Sequence, residues 1–119
     1  MNVRDRLLNA LEPLGVEVRY QGSLSDEEPL SETLITYQII DSSDEGFYDN
    51  EATKAITQIQ LMIYSTKMSI IKDLPDHLSQ LIKQAGFVRE SRGKDAGFFN
   101  HHYAWLMEIH HTERMPMHE

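Results

Sequence analysis

The residue types that could do chemistry fall in three places. The first is an acidic run, Asp41-Ser-Ser-Asp-Glu-Gly46, followed by Phe47, Tyr48, Asp49, Asn50 and Glu51. The second is a set of histidines: His101, His102, His110 and His111, with His77 and His118 apart from them. The third is Arg92-Gly93-Lys94-Asp95, a basic pair around a glycine.

The acidic run begins like a calcium loop, which needs oxygen ligands at alternate positions, glycine in the sixth place and a bidentate glutamate in the twelfth. Counted from Asp41, the sixth place is Gly46, but the twelfth is Ala52. The bidentate ligand is missing, and a strand pattern follows where a helix should. A solvated acidic turn is the alternative. Acid/base chemistry by these carboxylates would need a pocket that raises one of their pKa values, and the segment reads as an open loop.

Neighbouring residues on a strand point to opposite faces, so neither His-His pair can chelate one ion. His102 and His110 share a face, but eight residues span about 26 Å of strand. No H-x-H or H-E-x-x-H spacing occurs. Nucleophile-elbow, phosphate-loop and dinucleotide-binding motifs are absent as well. Arg92-Gly93-Lys94-Asp95 reads as a hairpin turn rather than a phosphate cradle. The sequence therefore assigns no catalytic, cofactor-binding or metal-ligating residue. It leads us to expect a protein that is not an enzyme and carries no cofactor.

Protein contact remains. Exposed aromatic side chains are costly unless something covers them, and Phe and Tyr are enriched at interfaces, where carboxylates at the rim set register. Asp44, Phe47, Tyr48, Asp49 and Glu51 are accordingly the candidate interface residues. The alternative is that Phe47 and Tyr48 fold back as the hydrophobic plug of a hairpin.

These residues must be positioned by a small fold. A chain of 119 residues suits one domain, long enough to bury roughly two-thirds of its unfolded surface without a disulfide or metal. Cysteine is absent, which excludes thiol chemistry and fits a reducing compartment. A net charge of −8 argues against nucleic acid as a partner. Apolar runs are too short to span a membrane, and the N-terminal stretch lacks the apolar core of a signal peptide.

Val3, Leu7, Leu11 and Leu14 recur at helical spacing behind an Asn2 cap, which predicts a helix over about 2–12. Val16, Val18 and Tyr20 alternate as a short strand. Residues 21–32 read as a polar, acidic loop, and Leu34 to Ile40 as a strand with Ile35, Tyr37 and Ile39 on one face. Thr57, Ile59, Leu61 and Ile63 alternate with Gln58, Gln60, Met62 and Tyr64, predicting a two-faced strand over about 54–65. A stripe from Ile71 to Ala85 predicts a helix within 67–85. Pro75 favours a break near Asp73 or a start there, and Gly86 a left-handed cap. Phe87–Ser91 reads as a strand, RGKD as a turn, and Phe98–His111 as one last long strand. Residues 1–111 then form the domain, with 112–119 a frayed tail. The order α-β-β-β-α-β-β predicts an α+β fold, one antiparallel or mixed sheet with two helices packed on one face.

The sequence also resembles a family of small tail-completion, or tail-terminator-like, proteins of long-tailed bacteriophages and prophages. The resemblance rests on VRDRLLNALEPLGVEVRYQGSL, LITYQIIDSSDEGFYDNEA, IQLMIYST, LPDHLSQLIKQAGF and the RGKD turn, and covers about residues 3–110. YQGSL, FYDNEA and QAGF are its most specific pieces, and AGFFNHHYAW departs from it. The resemblance implies a structural protein of the virion tail. Such a subunit forms a ring, usually a hexamer, at the head-proximal end of the tail tube. Its partners would be copies of itself, the tail-tube protein and the head-connector or stopper protein, with neither sequence-specific nucleic acid nor membrane involved. It would be found in the host bacterial cytoplasm during assembly and then in the virion tail. A small α+β ligand-binding or enzyme domain, with a cleft between the sheet and the second helix, is the alternative. An adaptor or inhibitor that binds one partner through its acidic loops is a third reading.

Overall fold

The computed structural model describes residues 2–24, 29–48 and 51–114, with only the backbone of 45–48, 51–53 and 114. The chain is α+β. Helix α1 (Val3–Leu11) leads to strands β1 (Glu17–Tyr20), β2 (Thr33–Tyr48) and β3 (Glu51–Ser65). Helix α2 (Met68–Gln84) follows, and then β4 (Phe87–Arg89), β5 (Lys94–Phe99) and β6 (His102–Arg114). The strands form one mixed sheet in the order β1-β2-β3-β6-β4, with β5 also on β6. β1 runs parallel to β2, and the other pairs are antiparallel.

Alternation in β3 and β6 builds the core face as the sequence predicts. Ile35, Ile63 and Trp105 lie in register, as do Tyr37, Leu61 and Met107, and Ile39, Ile59 and Ile109. Both helices cover this face: Leu7 and Leu11 of α1, and Ile71, Leu78 and Ile82 of α2, join one cluster with Ile59, Leu61, Met107 and Ile109. Asn2 caps α1 through its side chain, which accepts from the Asp5 N–H at 2.9 Å.

Three expectations need correction. First, α2 neither breaks at Asp73 nor starts there; it runs unbroken through Pro75, which is buried. An interior proline costs about 3 kcal/mol. Ile71, Leu78 and Ile82 are buried on the same stripe, and each contributes about 1.5–3 kcal/mol, which outweighs that cost. Gly86, at φ 91°, does close the helix in the left-handed conformation.

Second, RGKD does not reverse the chain, and the last strand does not begin at Phe98. β4 and β5 follow one another along the same edge of β6, and the reversal falls at Asn100-His101, both at positive φ (51° and 65°). Three strands therefore follow α2 rather than two. Third, β6 continues to Arg114, whose partner is Lys54, so the ordered domain passes the boundary expected at 111. Residues 115–119 lie outside the described residues.

The stretch 21–32 does more than form a polar loop. Its Leu24 and Leu30 cover Leu34, Tyr64 and Ala104 on the second face of the sheet. His102, buried beneath it, places one ring nitrogen 2.7 Å from the Ser31 carbonyl oxygen and the other 2.6 Å from that of Asn100. The Thr36 hydroxyl donates to the Gln21 side chain, so polar groups under this cover have partners. Burial raises the Tyr64 hydroxyl pKa, against the opposing hydrogen bonds from Gln21 and Thr36.

Candidate functional site

The candidate residues fall on a hairpin arm. β2 pairs with β3 from Thr33↔Ser65 to Tyr48↔Glu51, with a bulge between Ile39 and Asp41. Sixteen residues of strand reach about 53 Å at roughly 3.3 Å per residue, and the longest dimension of the molecule is 54 Å against 29 and 23 Å for the others. In β2 the helix-covered core takes only Ile35, Tyr37 and Ile39. Beyond Ile39 no described side chain of β2 is buried, and Asp41, Ser42 and Asp44 are exposed. β6 supports β3 as far as Lys54, and β1 supports β2 only as far as Tyr37.

Asp44 is thus an exposed residue of β2, paired with Ala55. Phe47 and Tyr48 lie on the backbone of β2, opposite Ala52 and Glu51 of β3; their side chains, and that of Glu51, are outside the described residues. Asp49 is outside them altogether. The segment expected as an open loop is a paired β-ladder up to Tyr48. The sequence pattern predicts this strand only from Leu34 to Ile40; pairing of Ser42–Glu45 with Lys54–Thr57 carries it further.

The histidines do not converge. His102 is held beneath the covering loop. His110 places Nδ1 3.2 Å from Glu90 Oε1, and His111 packs against Phe87 with ring centroids 5.2 Å apart and the planes tilted by 53°. Among the described residues no three His, Asp or Glu side chains gather as a metal would require, and no helix is long and apolar enough to cross a membrane.

His111 is buried, and its Nδ1 has no hydrogen-bond partner among the described residues. Burial lowers its pKa; the Arg6 guanidinium lowers it further, and Glu113 opposes both. In the unfolded chain the ring takes a proton near its ordinary value of about 6.5; in the fold it resists. As pH falls below that value the unfolded state binds a proton that the folded state does not, so stability drops until the folded ring also titrates. Urea midpoints measured from pH 7.5 to 5 should fall for the wild type. His111→Phe, which keeps a ring against Phe87, should flatten that slope over the same window. An unchanged slope would assign the acid sensitivity elsewhere.

On the opposite flank lie Arg92, Gly93 and Asp95 of the segment that the sequence pattern reads as a hairpin turn. There α2 lies beside the outer edge formed by β4 and β5. Two adjoining grooves, of about 600 and 480 Å³, share Asp76 along this seam. Ile71, Pro75, Tyr103 and Trp105 line one, and Phe87 with Val88 the other. The available signal was the cluster Lys83, Arg89, Arg92 and Lys94, the densest basic stretch of an acidic chain.

The chain matches no protein-family model, and no curated protein matches it significantly.

Proposed function

We propose that the protein is a structural subunit of a long-tailed bacteriophage. In this reading it completes the tail at its head-proximal end, stops tail-tube polymerisation and joins the tail to the head connector. It works as a homo-oligomeric ring, assembled in the host cytoplasm and retained in the virion tail, and has no catalytic role. The sequence resemblance suggests this reading. The observation that supports it best is the arm: a paired, acidic hairpin carried clear of the helix-covered core, as a subunit that must engage neighbours requires. Net negative charge suits a lumen through which DNA slides without sticking.

Tyr48, with Phe47, is the anchor of this contact, and Asp44, Asp49 and Glu51 are its charged rim. Burying one such aromatic typically contributes about 1–3 kcal/mol, and a ring repeats the contact in every subunit. The test is tube growth: the protein is added to its polymerising tail-tube protein and tube lengths are measured by electron microscopy. Wild type should give capped tubes of limited length. Tyr48→Ala should fold with an unchanged melting temperature and fail to cap. Unrestricted growth with the wild type present would refute the tail reading, and normal capping by Tyr48→Ala would remove the arm from it.

A second reading, a ligand-binding or enzyme domain with its cleft between the sheet and α2, has one observation in its favour. The groove of about 480 Å³ has charged side chains on both walls: Lys72 and Asp76 from α2, Arg92 and Asp95 opposite.

A further inference from the structure

The two lateral edges of the sheet differ in charge. Residues 41–48 of β2 contain three carboxylates, Asp41, Asp44 and Glu45, and no lysine or arginine. Lys72, Lys83, Arg89 and Arg92 line the seam on the β4–β5 side, against two carboxylates, Asp76 and Asp95. Within a chain of net charge −8 this makes the seam a locally basic surface.

The seam is also built for an extended strand. β4 is the last strand of the sheet and β5 pairs with β6 alone, so the outward N–H and C=O groups of this edge have no strand partner among the described residues. Adding a strand to a free edge satisfies such groups, and flanking pockets supply selectivity. Two ties hold the walls. Arg89 donates to the Ser79 hydroxyl at 3.0 Å, and that hydroxyl donates to the Pro75 carbonyl at 2.7 Å. Trp105 Nε1 donates to the Arg92 carbonyl at 3.0 Å, fixing the β4–β5 connection over the groove.

We propose that the occupant of this seam is the acidic arm of a second copy of the chain, laid along β4–β5 as an added strand. The proposal rests on the reading of the arm as an interaction element and names what it binds. Three features favour a second copy. The free outer edge of β2 starts at Gln38, where pairing with β1 has ended. The arm from Asp41 to Tyr48 spans about 26 Å as a strand, and α2 spans about 25 Å along its axis, so the lengths match. Charge complementarity sets the direction, because an arm repels another arm and is attracted by the seam. Arm and seam lie on opposite edges, so the contact is head-to-tail: each copy offers an arm to one neighbour and a seam to the other. Such an interface closes as a ring where the rotation permits and extends as a filament otherwise.

The experiment is sedimentation velocity on the full chain over a concentration series, at low and high salt. Two charge reversals accompany it, both at exposed positions outside the core: Lys83→Glu with Arg92→Glu in the seam, and Asp41→Lys with Asp44→Lys in the arm. Wild type should self-associate, more weakly in high salt. Each reversal should weaken association by about tenfold or more, with circular dichroism and melting temperature retained. Mixing the two variants should restore association, because the reversed charges in the arm of one meet the reversed charges in the seam of the other. A wild type that stays monomeric throughout would overturn the proposal, as would association indifferent to both reversals or a mixture that fails to recover. An unrelated acidic peptide that occupies the seam while copies of the chain ignore one another would assign it to a foreign partner instead. Tube capping without seam-dependent association sinks this proposal and spares the tail reading. Seam-dependent association without capping does the reverse.

Discussion

Gly93→Ala should destabilise the protein by about 2–6 kcal/mol, the sum of backbone strain and overpacking. Gly93 sits at φ 102°, where an L side chain is strained, and an added Cβ would collide with Trp105 Nε1 and come within 2.6 Å of the Leu106 carbonyl oxygen. Neither neighbour can give way freely. The Leu106 oxygen belongs to the backbone of β6, and the Trp105 indole packs against the core cluster and donates to the Arg92 carbonyl. Gly97→Ala is the internal control. Gly97 has a similar φ of 95° but nothing within 4 Å of the added Cβ, so it should cost only the strain, about 1–3 kcal/mol. Chemical denaturation of the two variants side by side separates the terms. Equal losses would mean that the indole moves aside without cost.

Gly93 also shows where sequence reading succeeds and where it stops. Glycine between Arg and Lys correctly marked a special backbone position, but the special feature is a continuation rather than a reversal. β4 passes through it into β5 and keeps to the same edge of β6. The real reversal uses Asn100 and His101, both left-handed. Asparagine was its one local signal, because asparagine tolerates that conformation better than most residues, and the flanking Phe98, Phe99 and Tyr103 made the stretch read as one strand. Long strands with strict alternation were readable because one slip would turn a whole dry face to water. Pro75 and the arm were not, since both are decided by partners distant in sequence: the core stripe that keeps α2 whole, and the β3 register that holds Ser42–Tyr48 extended. Of the candidate interface residues, Asp44 alone has a described side chain, and its exposure was readable from the carboxylate-rich sequence around it. The basic seam was not, because it joins residues of α2, β4 and the β4–β5 connection that become neighbours only on folding.

Leu61→Ala is expected to cost about 2–5 kcal/mol, the range for emptying a fully buried leucine site. Leu61 is wholly buried in the central strand, between Tyr37 and Met107 in register. Strands lie on both sides of it, so the backbone has little room to collapse into the cavity, which places the loss toward the upper part of that range. A domain of this size is typically stable by about 5–15 kcal/mol, so the variant should still fold at room temperature and melt far lower. Gln60→Ala, one residue away on the opposite face, should change stability by only about 0.5 kcal/mol. Urea denaturation of both measures the asymmetry, and comparable losses would contradict burial of this part of the sheet on its helix-covered face alone. The same pair separates folding from assembly. Leu61 lies under the helices, remote from both the arm and the free sheet edge. At temperatures where the Leu61→Ala variant is folded, it should therefore self-associate as the wild type does. Charge reversal in the arm should do the opposite, leaving the urea midpoint in place and weakening association. If Leu61→Ala weakened association while fully folded, the arm and the core could not be independent parts, and the contact would have to depend on the shape of the whole sheet.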